Sequence, residues 1–246
     1  MPLLEHERVA QSGYDRQATV YDENRYVSFQ GKYHLGLFRN QLLRAIGAAE
    51  PGRILDVAIG TGVGAASYFG GPATIFGADL SREMMGVARA RAAAAHHELH
   101  LTQCNGRALP FASESFRGLF SLRFFHHVPH GHRKPILAEM RRVLGNGAVA
   151  VLDFKNPFYG LVLNQIRDHV LRDRQGHYLY PWQVRDLFEG FEIVDLCGVY
   201  MPFGQYVARI SPRLAAAYQR LARLWPCKFF CMNLFVVVRK APAGRN

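Results

Sequence analysis

The chain has 246 residues, enough for one sizeable folded unit with insertions. Hydrophobic residues make up 49% and charged residues 20%, as is ordinary for a globular protein, and no apolar run is long enough for a helix that crosses a bilayer. The net charge of +11 is uneven, because no acidic residue follows Asp195, and such a bias suits an anionic partner (membrane, phosphorylated substrate or nucleic acid) or a merely solvated basic face.

The N-terminus, MPLLEHERVA, carries acids where a secretory leader has basic and then apolar residues, which points to a cytoplasmic location. Residues 1–50 read as helical, with Tyr14, Tyr21, Tyr26 and Tyr33 dispersed along them, and Pro51-Gly52 breaks the pattern. Short apolar runs then alternate with helical stretches. RILDVA (53–58) and ATIFGAD (73–79) read as buried strands. Ser81 is placed to cap a helix whose Met84, Val87, Ala88 and Ala92 share a face. LHLTQC (99–104) and FRGLFSL (116–122) are a third and fourth strand. A helix over 132–144 is ended by Gly145 and Gly147, and AVAVLDF (148–154) is the fifth strand. A helix over 161–172 follows, and then the aromatic run HYLYPW (177–182). Strands are expected over 191–200 and 229–240. Between them Leu214, Tyr218, Leu221 and Trp225 mark the apolar stripe of one helix, with Arg213, Arg220 and Arg223 opposite. That pattern suits a helix lying on an anionic membrane or one closing over the protein's own core.

This alternation predicts an α/β fold: a Rossmann-like, doubly wound, mostly parallel seven-stranded sheet, with helical insertions after strand five and between the last two strands. The ligand of such a sheet sits beyond the carboxyl ends of its strands. The expected organisation is a helical lid (1–50), a cofactor-binding core (51–154) and substrate-side insertions (155–180 and 200–228).

The loop in ILDVAIGTGVG (54–64) narrows the ligand. It has no lysine, which excludes a Walker A phosphate loop. Gly60, Gly62 and Gly64 give G-x-G-x-G rather than the dinucleotide pattern. Asp56, at the end of the first strand, would repel a pyrophosphate and attract a cationic ligand. Asp79, at the end of the second, suits ribose hydroxyls.

ILDVAIGTGVG resembles motif I of the class I S-adenosylmethionine-dependent methyltransferases. GADLSREMMGVARARA, NGRALPFASESFRGLFSLRFFHHV and RRVLGNGAVAVLDF are similar, in order, to further motifs of the ubiquinone/menaquinone-biosynthesis-like (methyltransferase type 11) subgroup. YDRQATVYDENRY resembles the lid of such enzymes. The resemblance implies S-adenosylmethionine as cofactor and S-adenosylhomocysteine as product. It implies that Asp79 takes the ribose hydroxyls and that Leu80 and Met84 flank the adenine. The wall would include Asp56, Ala58, Gly60, Thr61, Gly62, Asn105, Gly106, Arg107, Leu122 and Arg123, and the lid would add Tyr14, Tyr21 and Arg25. Asn105 stands where an aspartate usually accepts from the adenine amino group, and its amide oxygen can still accept. Ala58, Arg117 and Asn146 are the other departures from the pattern.

The expected activity is in-line methyl transfer to a small-molecule or lipid-like acceptor. The alternative is a regulator or assembly partner that binds the cofactor without transferring methyl. His126 or His127 is the candidate base, and consecutive helical residues point about 100° apart, so only one should face the substrate. Phe124 would lie beside the methyl, with His177, Tyr178 and Tyr180 as further acceptor-side candidates. Peripheral contact with an anionic membrane is a further expectation, and nucleic acid is not. Cys227 and Cys231 lack a common zinc spacing, and no metal ligand set is expected.

Overall fold

The computed structural model describes residues 2–47, 50–162, 178–224 and 226–241. Helices α1 (Glu5–Gln17), α2 (Tyr21–Tyr26) and α3 (Phe29–Ile46) lead into β1 (Gly52–Val57) and β2 (Ala73–Asp79). α4 (Arg82–Ala94), β3 (Leu99–Gln103), β4 (Phe116–Ser121), α5 (His130–Val143) and β5 (Leu144–Lys155) follow. The chain ends with α6 (Pro157–Val162), α7 (Val184–Leu187), β6 (Phe191–Val199), α8 (Gly204–Ile210), α9 (Pro212–Arg220) and β7 (Asn233–Lys240). Ser81 caps α4, its Oγ accepting from the Met84 amide at 3.1 Å.

The seven strands form one sheet in the order β3-β2-β1-β4-β5-β7-β6. Only β7 runs antiparallel to its neighbours. The order reverses between β1 and β4, so the crevice beyond their carboxyl ends is the switch point where α/β sheets bind ligands. Alternate residues of the central strands feed two cores. Leu55, Leu119, Leu152 and Val236 pack with Ile136, Leu137 and Met140 of α5. Ile54, Phe120, Val151 and Phe235 pack with Phe38 and Leu42 of α3 and Ala88 of α4. Each fully buried aliphatic or phenyl side chain contributes roughly 1.5–3 kcal/mol, so these central strands hold the loops above them rigid.

Three expectations need correction. Gly145 and Gly147 do not end the α5 helix, because β5 already starts at Leu144, which pairs with Phe116. The two glycines occupy a register shift before Val149 pairs with Gly118, and Gly147 takes the φ of +72° that this detour requires. The last strand begins at Asn233 rather than residue 229, since residues 227–230 form a 3₁₀ turn.

The third concerns the segment between β6 and β7, which holds two helices and not one. Ser211 ends α8 and caps α9, with Pro212 at the first helical position, so the Ser-Pro pair divides them. Of the two outcomes open for the apolar stripe, burial over the core is not the one its two leucines take. Leu214 and Leu221 are exposed, and the buried positions are Ala215 and Ala222. Trp225 and most of the helix expected over 161–172 lie outside the described residues.

Candidate active site

Asp79 ends β2 and organises the glycine loop. Its Oδ2 accepts from the Gly60 amide at 2.7 Å and its Oδ1 from the Ser81 amide at 2.9 Å. Burial raises its carboxyl above the ordinary range, and these amides oppose the shift. The loop itself needs left-handed backbone at Ala58 (φ +61°), Gly60 (+53°) and Gly62 (+77°). The two glycines serve different neighbours. A Cβ on Gly60 would meet nothing within 4 Å, since it faces the cavity, whereas one on Gly62 would press on Ala88 Cβ at 3.0 Å. Gly60 therefore opens the loop to a ligand, and Gly62 lets it pack on α4.

Asp56 is buried beneath this loop. Burial first and the neighbouring Asp79 second push its carboxyl well above the usual range. Burial thus disfavours the negative charge read from the sequence, and a cation beside it would favour that charge.

Beyond β3, Asn105 Oδ1 accepts from the Arg107 amide at 2.9 Å. Its Nδ2 is buried with no partner at hydrogen-bond distance among the described residues. Its Oδ1, where the sequence suggested an acceptor for the adenine amino group, is thus engaged by the backbone, and its Nδ2 lies toward the Glu7 carboxylate and favours the ionised form. Gly106, Leu80 and Met84 complete this end of the cavity.

Helix α1 and helix α2 close over it through polar contacts to every motif loop. Glu7 receives both Nε and Nη2 of Arg107 at 2.7 Å. Gln11 Nε2 donates to the Leu80 carbonyl at 3.0 Å, and Ser81 Oγ to Asp15 Oδ1 at 2.5 Å. Asp22 accepts from Thr61 Oγ1 at 2.7 Å and pairs with Arg91. Tyr14 and Tyr21 line the cavity edge to face, 5.9 Å apart.

At the far end stand Leu122, Arg123, Phe124 and His127. Arg123 adopts φ +58°, and its amide is held by the buried Asp153. Asp153 also receives Asn233 Nδ2 at 2.7 Å, and Asn233 Oδ1 meets His34 Nε2 at 3.3 Å. Burial pushes the Asp153 carboxyl up to about 6. The Arg123 guanidinium donates to Tyr26 Oη at 3.0 Å and lies over the Tyr21 and Tyr26 rings.

The two histidines separate as the helical geometry requires. Both lie in a 3₁₀ turn, Phe125–His127. His127 lines the cavity, its Nε2 2.5 Å from Tyr14 Oη. His126 is not part of the wall. Its Nδ1 is buried without a partner, and burial, together with the nearby charges of His127, Lys155 and Arg123, holds it well below its ordinary value and neutral.

Other expected residues lie elsewhere. Gly62 and Arg107 support the wall without lining it, and Arg25 is exposed, stacked on Tyr21 at 4.5 Å. Tyr178 is buried beside β5, its carbonyl taken by Arg133 at 2.9 Å. Tyr180 stacks on Trp182 at 4.6 Å. These tyrosines pack against the fold and do not reach the cavity, and His177 lies outside the described residues. Sequence reasoning missed Glu7, Gln11, Tyr26 and Ser81 as wall residues, and Asp15 and Asp22 as lid contacts. The only signal was acids spaced along an otherwise aromatic N-terminal helix. Among the described residues, no group of three His, Cys, Asp or Glu is placed to hold a metal ion.

A family model described as a methyltransferase domain matches residues 54–147. The demethylmenaquinone methyltransferase of Porphyromonas gingivalis is 32% identical over 206 residues, 75% of this chain and 82% of that protein. The demethylmenaquinone methyltransferase of Renibacterium salmoninarum is 29% identical over 65% of this chain and 64% of its own length. The alignments with the first curated relatives span 47–64% of those proteins. Among solved structures, magnesium protoporphyrin IX methyltransferase from Synechocystis superposes with a TM-score of 0.69 at 12% identity, over 95% of this chain and 99% of that one. The [4+2]-cyclase SpnF gives 0.68 at 14% identity, over 98% of both chains. On this sheet order and this identity across four fifths of a relative, the chain belongs to the class I S-adenosylmethionine-dependent methyltransferases of the ubiquinone/menaquinone-biosynthesis type.

Proposed function

We propose that the protein transfers the methyl group of S-adenosylmethionine to a small-molecule or lipid-like acceptor of the quinone type. The observation that carries the reading is one cavity that joins Asp79, the open side of Gly60 and Asn105 to Arg123, Phe124 and His127. The first group fits a nucleoside and the second an acceptor. Relatives named demethylmenaquinone methyltransferase and 2-phytyl-1,4-naphtoquinone methyltransferase support the acceptor class.

When bound, the cofactor supplies a methyl already activated by its sulfonium. The chain's part is alignment and, for a hydroxyl-bearing acceptor, holding a proton. Asp79 has lone pairs left for the ribose hydroxyls, and Asp56 ionises beneath the cationic amino-acid portion. Residues 1–50 act as a lid, because their polar contacts reach the loops after β1, β2 and β3. His127 is the base and Tyr14 its partner, since that pair, unlike His126, stands on the cavity wall. Arg123 sits beside them to stabilise negative charge as the acceptor is deprotonated.

The deciding experiment supplies a demethylated, short-chain naphthoquinol and follows S-adenosylhomocysteine formation. Product that accumulates with acceptor and not without it supports methyl transfer. Tight cofactor binding in calorimetry with no turnover supports the second reading, a cofactor-binding protein without transfer. A solved neighbour of this fold is named a cyclase, so the fold by itself does not decide between them.

A further inference from the structure

The segment between β6 and β7 leaves the sheet at its ligand-binding edge. β7 is antiparallel and opens at Asn233, beside Lys155 at the end of β5 and Val199 at the end of β6. The α8 and α9 helices pack on each other there, and α8 rests on α3. Gly204 approaches so closely that a Cβ would meet the Tyr33 hydroxyl at 3.3 Å, and the Arg209 guanidinium covers the Phe29 ring at 5.2 Å.

The outward face of this pair inverts the usual pattern. Ile210 is 81% exposed, and Phe203, Tyr206 and Leu214 are each more than half exposed, while α9 buries only Ala215. Tyr206 and Ile210 stand one turn apart on α8, with Phe203 at its N-cap and Leu214 in the first turn of α9. Leu221 and Leu224 extend the exposed apolar surface. Arg209, Arg213 and Arg220 are exposed among them, and the chain carries no acid after Asp195 to offset them. Aliphatic and aromatic side chains left in water beside arginines match a lipid interface, where the apolar tips enter the acyl boundary and the cations meet anionic headgroups. A nucleic acid would satisfy the arginines and leave Ile210 and Leu214 exposed.

We propose that the outer face of α8 and α9, led by Phe203, Tyr206, Ile210 and Leu214, seats on an anionic phospholipid bilayer. The docking stands on this surface alone. Delivery of a lipid-soluble acceptor from the bilayer to the neighbouring cavity rests on the methyl-transfer reading above.

Co-sedimentation with phosphatidylglycerol-containing vesicles at low salt tests the docking, with pure phosphatidylcholine vesicles as control. The wild type should pellet with the anionic vesicles, and raised salt should release it. The double variant Ile210→Glu, Leu214→Glu should lower the bound fraction about ten-fold or more. Both positions are exposed, so its circular dichroism and cofactor affinity should match the wild type. The proposal is overturned if the wild type stays in solution, if it binds both vesicles equally, or if the variant pellets as well as the wild type. A dimer in sedimentation velocity that the same substitutions dissolve also overturns it, by assigning the face to a second copy. Turnover of a water-soluble quinol needs no vesicle, so failure of methyl transfer and failure of docking are read separately.

Discussion

Glu7→Gln isolates the contact that ties the α1 lid to the core. The Glu7 carboxylate receives two guanidinium donors of Arg107 and the Leu4 amide, and both partners of the ion pair are nearly fully buried. Burial alone would raise the Glu7 carboxyl, but Arg107, the Leu4 amide and the Asn105 side chain outweigh it and hold it at about 2 against an ordinary 4.5. At about 1.4 kcal/mol per unit, the ionised form is favoured in the folded state by roughly 3 kcal/mol. The glutamine loses that charge and turns one donor toward Arg107, a change in the range of about 3–5 kcal/mol for one broken partner of a buried pair. Urea unfolding should therefore show the variant about 3 kcal/mol less stable at pH 7, with faster amide exchange along α1. The stabilisation is complete above the unfolded value of 4.5 and is lost as pH falls through 2, so the gap between the two proteins should narrow below pH 4.5. A gap under about 1 kcal/mol at pH 7, or one that does not change on acidification, would refute the reasoning.

Other predictions follow from the cavity. Asp79→Ala removes the ribose acceptor and frees the Gly60 and Ser81 amides, so calorimetry should show S-adenosylhomocysteine binding weakened about 100-fold and circular dichroism a lower melting temperature. Burial and the neighbouring Asp79 raise the Asp56 carboxyl, and a cationic ligand that favours its ionised form should lower it again. Cofactor affinity should then rise with pH through that titration, binding should eject a proton in buffers of different ionisation enthalpy, and Asp56→Asn should flatten both effects. His127→Ala should lower the rate of methyl transfer about 10²- to 10³-fold with cofactor affinity little changed, and an unaltered rate would remove it as the base.

Much of the fold is legible because its signals are local. The buried strands are short runs of aliphatic residues, and Ser81 caps its helix with a side chain three residues from its partner. The glycine loop and Asp79 are neighbours in space because β1 and β2 pair in parallel along their whole length, from Gly52 with Ala73 to Val57 with Ala78. The errors fall where partners are distant in sequence. Gly147 reads as a helix stop until the Phe116–Leu144 pairing makes it part of a strand detour. The stripe that begins at Leu214 suits a membrane face or a core face alike, until Ala215 is found on the side that packs. Tyr178 and Tyr180 carry functional groups suited to an acceptor site, yet Arg133 and Trp182 engage them elsewhere.

By itself, the sequence determined the alternating α/β order, the seven strands, the glycine loop without phosphate-binding features and the acid at the end of β2. Each depends on spacing within a few residues, which hydrophobic period, capping and backbone strain enforce locally. Only the tertiary structure decided that the Arg107 amide engages Asn105 Oδ1, that His127 and not His126 meets the cavity, that burial disfavours charge on Asp56, and that Glu7, Gln11, Asp15 and Asp22 fasten the lid. Those properties arise from desolvation and from pairs such as Glu7 and Arg107, a hundred residues apart. Neither has a local signature, because both depend on which side chains the sheet brings to its carboxyl edge.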